Sequence, residues 1–463
     1  MNNLYILTEE RPKENVLKFI IKRFLQDKAF SAFINELKIV PVLQDDKFSF
    51  YYEILGVECK AFAKIYLKII SGESSFVDYL VFFQKTQPNN DDVPLYAIEA
   101  TKTDDSESRN TGVYQRITKF VYLEYFYPNT TKIMLYNLYI PQKQKPTQTA
   151  IFGTKILRTL GVELAGKSFD EEILKPFKSI EELIQFKANM KKAPKGNVPI
   201  MIYKLKDKIQ ISARLIKSNM LAHDPSIGAI SGIAATLRKL NYTQEIQIIA
   251  HALSQNHLTA NNKFIKIANL LNISLEKLRL PQAFIGKDYW HYEKKSEKLA
   301  TIFIHLVVEY FTNARMIFEN HAGCEKGYFF TSTGEVIALQ KYEDRKAYKA
   351  GDKNARLCIP DLILLDMQNL EIINIEGKKY TYKNQGIAEL KNYNFIEKAY
   401  IKKYYPRYKI IRTVVLFGSN VEKIVEVEVG FLLNENGKLI LGIKAPKLFI
   451  FALQNLLDFW RIL

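Results

Sequence analysis

The chain has 463 residues, 48% of them hydrophobic and 13% aromatic, so it is long enough for several domains and too apolar to be disordered. Lys and Arg number 66 against 49 Asp and Glu, and the formal net charge of +17 favours a polyanionic partner through counterion release. A genome biased toward lysine and asparagine codons is the plainer explanation of the same charge. The three cysteines are far apart in the sequence, which excludes a disulfide framework and a zinc motif made of cysteines.

Neither a membrane span nor an export signal is expected from the sequence. No apolar run approaches the ~18–20 residues that cross a bilayer. The N-terminal segment carries charges where a signal peptide would have its apolar run. The prediction is therefore a soluble, cytoplasmic protein without a membrane partner.

In chain order, residues 1–45 are predicted to be helical, because apolar residues recur at three- and four-residue spacing within residues 16–25. From about residue 48 to residue 138, aromatic and β-branched runs predict strands. One helix near residues 113–126 interrupts these strands. It ends before Pro128, which cannot continue a helix.

The second half begins with residues 141–200, whose Pro- and Lys-rich stretches are typical of a linker that contains helices. A middle region of mixed strands and helices follows, in which residues 263–280 weakly resemble a helix-turn-helix unit; two ordinary packed helices explain the same pattern. A long apolar helix is predicted over residues 296–320, and a second strand-rich segment follows it. The predicted domains are residues 1–145, 146–205, 206–290 and 291–463.

The two strand-rich segments share an order of elements. Each has a strand with Asp, a strand with Glu and Lys, a helix, a Tyr-Pro pair and another strand. Glu99 precedes Pro128 by 29 positions, and Glu376 precedes Pro406 by 30. Residue identity between the segments is low, but the shared order suggests that they are two related α/β units.

The most specific motif is Pro360-Asp361, then fourteen residues, then Glu376-Gly377-Lys378. The intervening residues fit a hairpin, so Asp361 and Glu376 meet at one end of it. Side chains alternate along a strand, which places Glu376 and Lys378 on the same face. Two carboxylates suit Mg²⁺, and an ammonium beside them can position a water. A surface strand that ends in Glu-x-Lys is the plainer explanation of the same letters.

This pattern resembles the PD-(D/E)xK nuclease superfamily, and the order of elements over roughly residues 296–420 is similar to that of type II restriction endonucleases. The resemblance implies that Asp361 and Glu376 bind Mg²⁺, for which Mn²⁺ can substitute, and that the Gly377 carbonyl adds a ligand. Lys378 would then activate the attacking water. Two further residues match accessory positions of some members, Glu309 on the upstream helix and Gln385 on the following helix.

The N-terminal segment offers a looser version of the motif. Asp78 lies in one strand, and Glu99 and Lys102 end the next. This spacing is ExxK, so Glu99 and Lys102 face opposite sides of a regular strand, and Ala100 stands where an ExK motif would need its acid. Either a β-bulge brings Lys102 round or the site is degenerate. By the resemblance, Asp78 and Glu99 would bind metal.

Several polar residues are candidates for supporting roles in this N-terminal unit and in the middle region. On the helix that follows, Gln115 and Lys119 can serve the metal site or a phosphate. The middle region is the candidate for sequence recognition, with roles that the sequence cannot sort between bases and phosphates. The candidate DNA-contacting residues are Arg109, Arg116, Arg214, Arg238 and Lys239.

Other chemistries lack their motifs. The six histidines do not form HExxH or zinc-finger spacing, and no nucleophile elbow, phosphate-binding loop or dinucleotide fingerprint is present. The fold expected is therefore α/β, with two restriction-endonuclease-like cores, each a mixed sheet flanked by helices, around a mixed α/β DNA-recognition region.

The resemblance implies a Mg²⁺-dependent, sequence-specific double-stranded DNA endonuclease that leaves 5′-phosphate and 3′-hydroxyl ends. Two different sites in one chain resemble monomeric restriction enzymes that read asymmetric sequences, one site per strand. A cognate DNA methyltransferase would belong to the same restriction-modification system without a stable complex. The alternatives are a structure-specific repair or recombination nuclease and a DNA-binding regulator with inactive nuclease folds.

Overall fold

The computed structural model describes all residues except 71–76, 101–111, 136–147, 167–173, 191–199, 214–223, 251, 283–296, 322, 421–429, 443 and 463. As the sequence predicts, the chain belongs to the mixed α/β class, since parallel and antiparallel strands occur together in sheets that helices flank. Among the described residues, no helix is both long enough and apolar enough to cross a membrane.

Residues 1–71 contain one helix between strands rather than the predicted helical stretch. The elements are β1 (Asn3–Thr8), α1 (Glu14–Asp27), β2 (Ala32–Gln44), β3 (Lys47–Cys59) and β4 (Ile65–Ile69). The amphipathic pattern does form α1, whose apolar face, including Ile20 and Phe24, is buried. The hairpin of β2 and β3 is antiparallel, β3 pairs with β4, and β1 pairs with β4 in parallel.

Residues 72–291 form two successive groups of strands and their helices. The elements are β5 (Tyr79–Gln84), β6 (Tyr96–Ala100), α2 (Gly112–Phe126), β7 (Thr131–Leu135), α3 (Gln148–Thr159), β8 (Val162–Ala165), α4 (Ile180–Asn189), β9 (Met201–Lys204), β10 (Lys208–Ala213), α5 (Asp224–Lys239), β11 (Glu245–Ala250), α6 (Ala252–Ala260), α7 (Asn262–Leu271) and β12 (Ile273–Leu275). The predicted helix-turn-helix is wrong in its second half. Asn272 ends α7 in a left-handed conformation, and the chain continues as β12, which pairs with β11.

Helices α2 and α5 pack closely together. Gly228 on α5 faces the carbonyl oxygen of Tyr114 on α2, and a Cβ at this glycine would lie 1.7 Å from that oxygen. Gly232, one turn further along α5, lies against the Ile117 side chain, and a Cβ there would be 2.7 Å from Ile117 Cγ2. Only glycine permits this approach, so these two glycines have a packing role rather than a phosphate-binding one.

Residues 292–463 form the second strand-rich segment. The elements are α8 (Glu297–Phe311), β13 (Arg315–Glu319), β14 (Lys326–Phe330), β15 (Val336–Gln340), α9 (Arg345–Lys349), β16 (Leu362–Asp366), β17 (Glu371–Lys379), α10 (Lys383–Glu389), α11 (Asn394–Ile396), α12 (Lys402–Tyr404), β18 (Lys409–Phe417), β19 (Phe431–Leu433), β20 (Leu439–Leu441) and α13 (Lys447–Ile462). Short 3-10 helices occupy Lys353–Ala355, Tyr380–Tyr382 and Leu390–Tyr393, and a π-helix occupies Glu397–Ile401.

The strands of this segment form one sheet in the order β15-β14-β13-β16-β17-β18-β19-β20. Helix α8 is buried on all sides from Leu299 to Val308, because it packs against this sheet, the strand β2 and the helix α13. The helix is shorter than the predicted 296–320. Thr312 accepts a hydrogen bond from the Ala314 amide (3.1 Å) and donates to the Val308 carbonyl (2.6 Å), which turns the chain into β13.

By their internal contacts, the residues group into two compact units. One comprises residues 1–71, 84–86 and 292–463, and the other comprises residues 72–83 and 87–291. This grouping describes contacts, whereas the four predicted ranges are meant as independently folding domains, so those ranges stay a prediction.

One strand connectivity occurs three times along the chain. In each instance an antiparallel pair is followed by a strand parallel to its second member, and then by another parallel strand. The first copy is β5-β6-β7-β8, the middle copy is β9-β10-β11-β12 and the last copy is β16-β17-β18-β19. The sequence predicts the order of the first three strands and the helix in the first and last copies. The parallel pairings, the fourth strand of each copy and the middle copy are new observations.

Candidate active sites

The last copy carries the motif predicted most specifically. Asp361 directly precedes β16, and the β16–β17 register, extended by one residue, sets it opposite Glu376. The backbone amide of Gly377 donates to Asp361 Oδ2 (2.8 Å), and the Asp361 amide donates to the Ile375 carbonyl (3.0 Å). The hairpin thus brings the two predicted carboxylates together at one end of buried strands.

Glu376 is surrounded by polar partners. Lys378 Nζ donates to Glu376 Oε1 (2.5 Å) and lies 2.8 Å from Glu389 Oε2 on α10. The Tyr393 hydroxyl donates to Glu376 Oε2. Glu376 itself is only 6% exposed, so each of its oxygens is held by a donor inside the protein. The predicted side-by-side placement of Glu376 and Lys378 on one strand face agrees with this contact.

The electrostatics of the site favour protons on the two carboxyl groups. Burial raises the pKa of Glu376 to about 8, and the nearby Asp361 adds to the rise. Burial likewise raises the pKa of Asp361 to about 6, although the Gly377 amide and Lys378 oppose it. For Lys378, burial lowers the pKa, but Glu376 and Glu389 raise it more, so the ammonium stays charged.

Glu389 completes a short chain of polar contacts. Burial raises its pKa, but hydrogen bonds with Glu376, Lys378 and Gln385 outweigh burial and lower it to about 2. Gln385 Nε2 donates to Glu389 Oε1 (2.9 Å). The predicted accessory residue Gln385 therefore reaches the site through Glu389, which the sequence prediction did not include.

The first turns of α8 lie beside this site. A Cβ at Gly377 would be 2.4 Å from Thr301 Cγ2 and 3.2 Å from Asp361 Oδ2, so only glycine fits there. The negative charge of Glu297 contributes to the raised pKa of Asp361. Glu309 lies twelve residues later in sequence, about 18 Å along the helix axis, where it pairs with Arg11. Of these two acids on α8, Glu297 is therefore the one near Asp361, and the accessory role predicted for Glu309 stays a prediction.

The first copy arranges Asp78 and Glu99 in the same way. The β5–β6 register, extended by one residue, sets Asp78 opposite Glu99. The Ala100 amide donates to Asp78 Oδ2 (2.8 Å), as the Gly377 amide does to Asp361. The Asp78 amide donates to Glu99 Oε2 (3.2 Å). Ala100 therefore occupies the position of Gly377. The β-bulge predicted to bring Lys102 round concerns residues outside the described ones.

A lysine from the helix serves this pair of acids. Lys119 Nζ on α2 donates to both oxygens of Glu99 (3.0 and 2.8 Å) and lies 3.8 Å from Asp78 Oδ1. Arg116, one turn earlier, lies 3.3 Å from Glu99 Oε1. Burial and Asp78 raise the pKa of Glu99 to about 7, against the opposing effect of Lys119 and Arg116.

Of the other residues predicted for the first copy, some lie beside the acid pair and others do not. Gln115 is exposed on the first turn of α2. Lys102 and Arg109 lie outside the described residues. Lys119 and Arg116 are brought together with the acids, while the assignment of Lys102 as a site residue stays a prediction.

The middle copy has no carboxylates at the corresponding positions. Its β9–β10 register, extended by one residue, sets Ile200 opposite Ala213. Of the residues predicted to contact DNA, Arg214 lies outside the described residues. Lys239 Nζ donates to Glu124 Oε1 (2.5 Å).

Arg238, also predicted to contact DNA, is used inside the middle copy. Its guanidinium donates to four backbone carbonyls, those of Leu271 (2.9 Å), Tyr242 (2.7 Å), Gln244 (2.8 Å) and Asn272 (3.1 Å). These bonds tie the end of α5 to the end of α7 and give Arg238 a structural role. Whether it also contacts DNA stays a prediction.

Sequence reasoning missed Glu297, Glu389 and Tyr393. None of them lies at a fixed distance from a strand motif, and each belongs to a helical segment whose orientation only the packed structure determines. A helical search for acids near Asp361 finds Glu297 and Glu309 alike, so spacing cannot choose between them. Comparison with protein-family models, with curated proteins and with solved structures found no match.

The donor set of both acid pairs fits Mg²⁺. Each pair offers two hard carboxylate oxygen donors, the ligands that Mg²⁺ prefers. Burial and the neighbouring Asp raise the pKa of Glu376 and of Glu99, so a bound cation would favour the charged form of each pair. Asp361, Glu376 and the Gly377 carbonyl would hold the ion in the last copy, and Asp78 and Glu99 would hold it in the first.

Proposed function

We propose that this protein is a Mg²⁺-dependent endonuclease that cuts double-stranded DNA at a specific sequence, as type II restriction enzymes do. The observation that carries the proposal is the repeated acid pair. In two copies of one connectivity, an Asp before the first strand accepts a hydrogen bond from the amide that follows the Glu of the second strand. Each pair has a lysine within hydrogen-bonding distance of the Glu.

Two acid pairs in one chain suit a duplex substrate. The two strands of DNA run in opposite directions. A chain with one active site must therefore bind the DNA a second time, or act together with a second chain, to cut both strands. Two restriction-endonuclease-like cores would let a monomer cut each strand with its own site. The formal net charge of +17 supports a nucleic-acid partner, because lysines and arginines release counterions from the phosphate backbone.

The residues of the last site have separable roles in this proposal. Mg²⁺, when bound, supplies the charge that stabilises the scissile phosphate in the transition state. Asp361 and Glu376 hold the ion, and the Gly377 amide fixes the Asp361 carboxylate. The Lys378 ammonium, kept in place by Glu376 and Glu389, orients the attacking water through Nζ. Tyr393 restrains Glu376 through its hydroxyl.

The first site would work with the same division of labour. Asp78 and Glu99 hold the ion, the Ala100 amide fixes Asp78, and Lys119 takes the place of Lys378 from a helix. In-line attack by water would break the bond to the 3′ oxygen and leave 5′-phosphate and 3′-hydroxyl ends. Mn²⁺ is expected to replace Mg²⁺ because it takes the same oxygen ligands.

The middle copy is the proposed recognition element. It keeps the connectivity of the other two copies but has no acids at the corresponding positions. In this proposal its surface is therefore not needed for catalysis and can contact bases. The proposal places the protein in the cytoplasm, beside a DNA methyltransferase that protects the host sequence.

The test is cleavage of a supercoiled plasmid by the purified chain with Mg²⁺, followed by sequencing of the ends. Linear DNA with discrete ends is the expected product. Discrete nicks in one strand would mean that one acid pair works alone. Cleavage at branched or damaged DNA without sequence preference would replace the proposal with a repair nuclease. Specific binding without cleavage in Mg²⁺ or Mn²⁺ would leave a DNA-binding regulator.

A further inference from the structure

A second polar cluster lies in the unit that contains the last copy, along α8 from its acid pair. It comprises His305 on α8, Glu319 at the end of β13 and His321 in the turn that follows. Both imidazoles are buried, with side chains 0% and 4% exposed. Nothing in the proposed nuclease reaction uses these residues.

Three ligand atoms of the cluster converge on one point. His305 Nδ1 is 3.0 Å from His321 Nε2, and Glu319 Oε2 is 3.7 Å from the first nitrogen and 4.0 Å from the second. Ligands about 2.0–2.1 Å from a tetrahedral ion lie about 3.4 Å from one another, which matches this spacing. The two distances to Glu319 exceed those of hydrogen bonds, so a hydrogen-bonded histidine pair alone does not explain why the carboxylate faces both rings.

One of the two outer ring nitrogens of the cluster, His305 Nε2, has a carboxylate nearby. His305 Nε2 and His321 Nδ1 are buried and have no hydrogen-bond partner among the described residues. Glu309 Oε2 lies 3.9 Å from His305 Nε2, where a small adjustment makes the carboxylate–histidine contact that orients metal-binding imidazoles. Arg11 pairs with Glu309 and lies 3.6 Å from Glu319 Oε2. Together with the two histidines, the cluster thus contains two carboxylates and one guanidinium.

We propose that His305, Glu319 and His321 bind a transition-metal ion, Zn²⁺ in the first instance, at a site separate from the Mg²⁺ sites. Two imidazole nitrogens and one carboxylate oxygen select an ion that accepts nitrogen ligands, which Mg²⁺ does poorly. Solvent fills the fourth position on the side of Glu319, whose side chain is 33% exposed. The site does not depend on the nuclease proposal.

The bound ion braces the backbone of the catalytic strand. It joins α8, β13 and the turn at His321. The residue before that turn, Asn320, donates its amide to the Asp361 carbonyl (2.7 Å). On the opposite side, Thr301 of α8 lies against Gly377. The ion would therefore hold in place the backbone that carries Asp361.

The test measures metal content in the intact, untagged chain. After incubation with Zn²⁺ and desalting, mass spectrometry of the metal should find one equivalent per chain, and Co²⁺ in its place should give the visible absorption of a tetrahedral complex. The variants His321→Gln and Glu319→Gln should bind Zn²⁺ at least about tenfold more weakly. The surface variant Glu325→Gln and the site variant Asp361→Asn should both retain the wild-type equivalent.

Three results would overturn the proposal. The wild-type chain would take up no Zn²⁺ or Co²⁺ above the level of a protein without the cluster. Alternatively, His321→Gln and Glu319→Gln would bind as tightly as wild type, or Asp361→Asn would lose the ion, which would assign it to the acid pair. The wild-type measurement needs no variant, so a folding defect in His321→Gln leaves the proposal testable.

Discussion

The first and last copies hold the same backbone arrangement and fill it with different side chains. In both, the amide after the strand Glu binds the Asp that precedes the partner strand. The lysine comes from the strand in the last copy, as Lys378, and from the helix in the first, as Lys119. A position in space beside the Glu, rather than a position in the sequence, is therefore what the two sites share.

The largest expected effect comes from removing the acid of either copy. Asp361→Asn and Asp78→Asn should each abolish cleavage of one DNA strand, with a loss of several kcal/mol of transition-state stabilisation, about a thousandfold in rate. Each single variant should only nick the plasmid, and the two variants should nick opposite strands. The double variant should cut neither strand. Asp458→Asn, at an exposed pair with Arg461, is the matched control. Linear product at wild-type rate from Asp78→Asn would show that the first copy does not cut.

The lysines provide a sharper comparison. Lys119→Met should slow cleavage at the first site about a hundredfold, as Lys378→Met should at the last, because each removes the ammonium that contacts the Glu and orients the water in the proposed mechanism. Lys102→Met should leave the rate within about twofold. Strand-resolved kinetics on a labelled duplex measure all three. A strong defect in Lys102→Met with none in Lys119→Met would show that Lys102, and not Lys119, is the catalytic lysine of the first site.

The pH dependence follows from the raised pKa values. Mg²⁺ needs deprotonated carboxylates, and burial raises the pKa values of Asp361, Glu376 and Glu99 to about 6, 8 and 7. From pH 6, Mg²⁺ affinity should therefore rise about tenfold per pH unit, up to about pH 8 at the last site and about pH 7 at the first. Calorimetric titration with Mg²⁺ at several pH values checks this. Affinity that is flat over this range would contradict the buried, protonated pair.

The same pKa values predict the stability of the metal-free protein. Because the folded state binds protons that the unfolded state releases near pH 4–5, the free energy of unfolding should fall as pH rises from 5 to 8, by several kcal/mol. Mg²⁺ should restore it. Glu376→Gln should flatten the dependence in thermal unfolding scans, whereas Glu325→Gln, which alters an exposed acid, should leave it unchanged.

The smallest expected effect concerns the residue that follows the Glu, which is Gly377 in the last copy and Ala100 in the first. Gly377→Ala should destabilise the protein by about 1–3 kcal/mol, since the added Cβ would lie 2.4 Å from Thr301 Cγ2. Thr301→Ser removes that methyl group and should recover part of the loss in the double variant. Ala100→Gly in the first copy should change stability by less than about 1 kcal/mol. Thermal unfolding compares the four proteins, and an unchanged Gly377→Ala would contradict the close packing.

The sequence predicts the hairpin of Asp361 and Glu376 and the helix before Pro128, because both depend on local patterns of apolar residues and breakers. It does not predict strands β1 and β2, which form because other strands pair with them. The role of Lys119 was one option among several, since a helix does not reveal which face meets a distant Glu. That Glu297 rather than Glu309 lies near Asp361 has the same origin, because both acids lie on α8 and only packing selects the end of the helix beside Asp361.

Three similar connectivities in one chain also create a folding problem. A strand of one copy can pair with the equivalent strand of another, which is the usual failure of tandem architectures. The connections inside the three antiparallel pairs differ in length, spanning residues 85–95, 205–207 and 367–370. In the last of these, Asp366 accepts hydrogen bonds from the amides of Gln368 and Asn369 and fixes one register. Because the turns differ in length, a strand exchanged between copies would meet a connection of the wrong length.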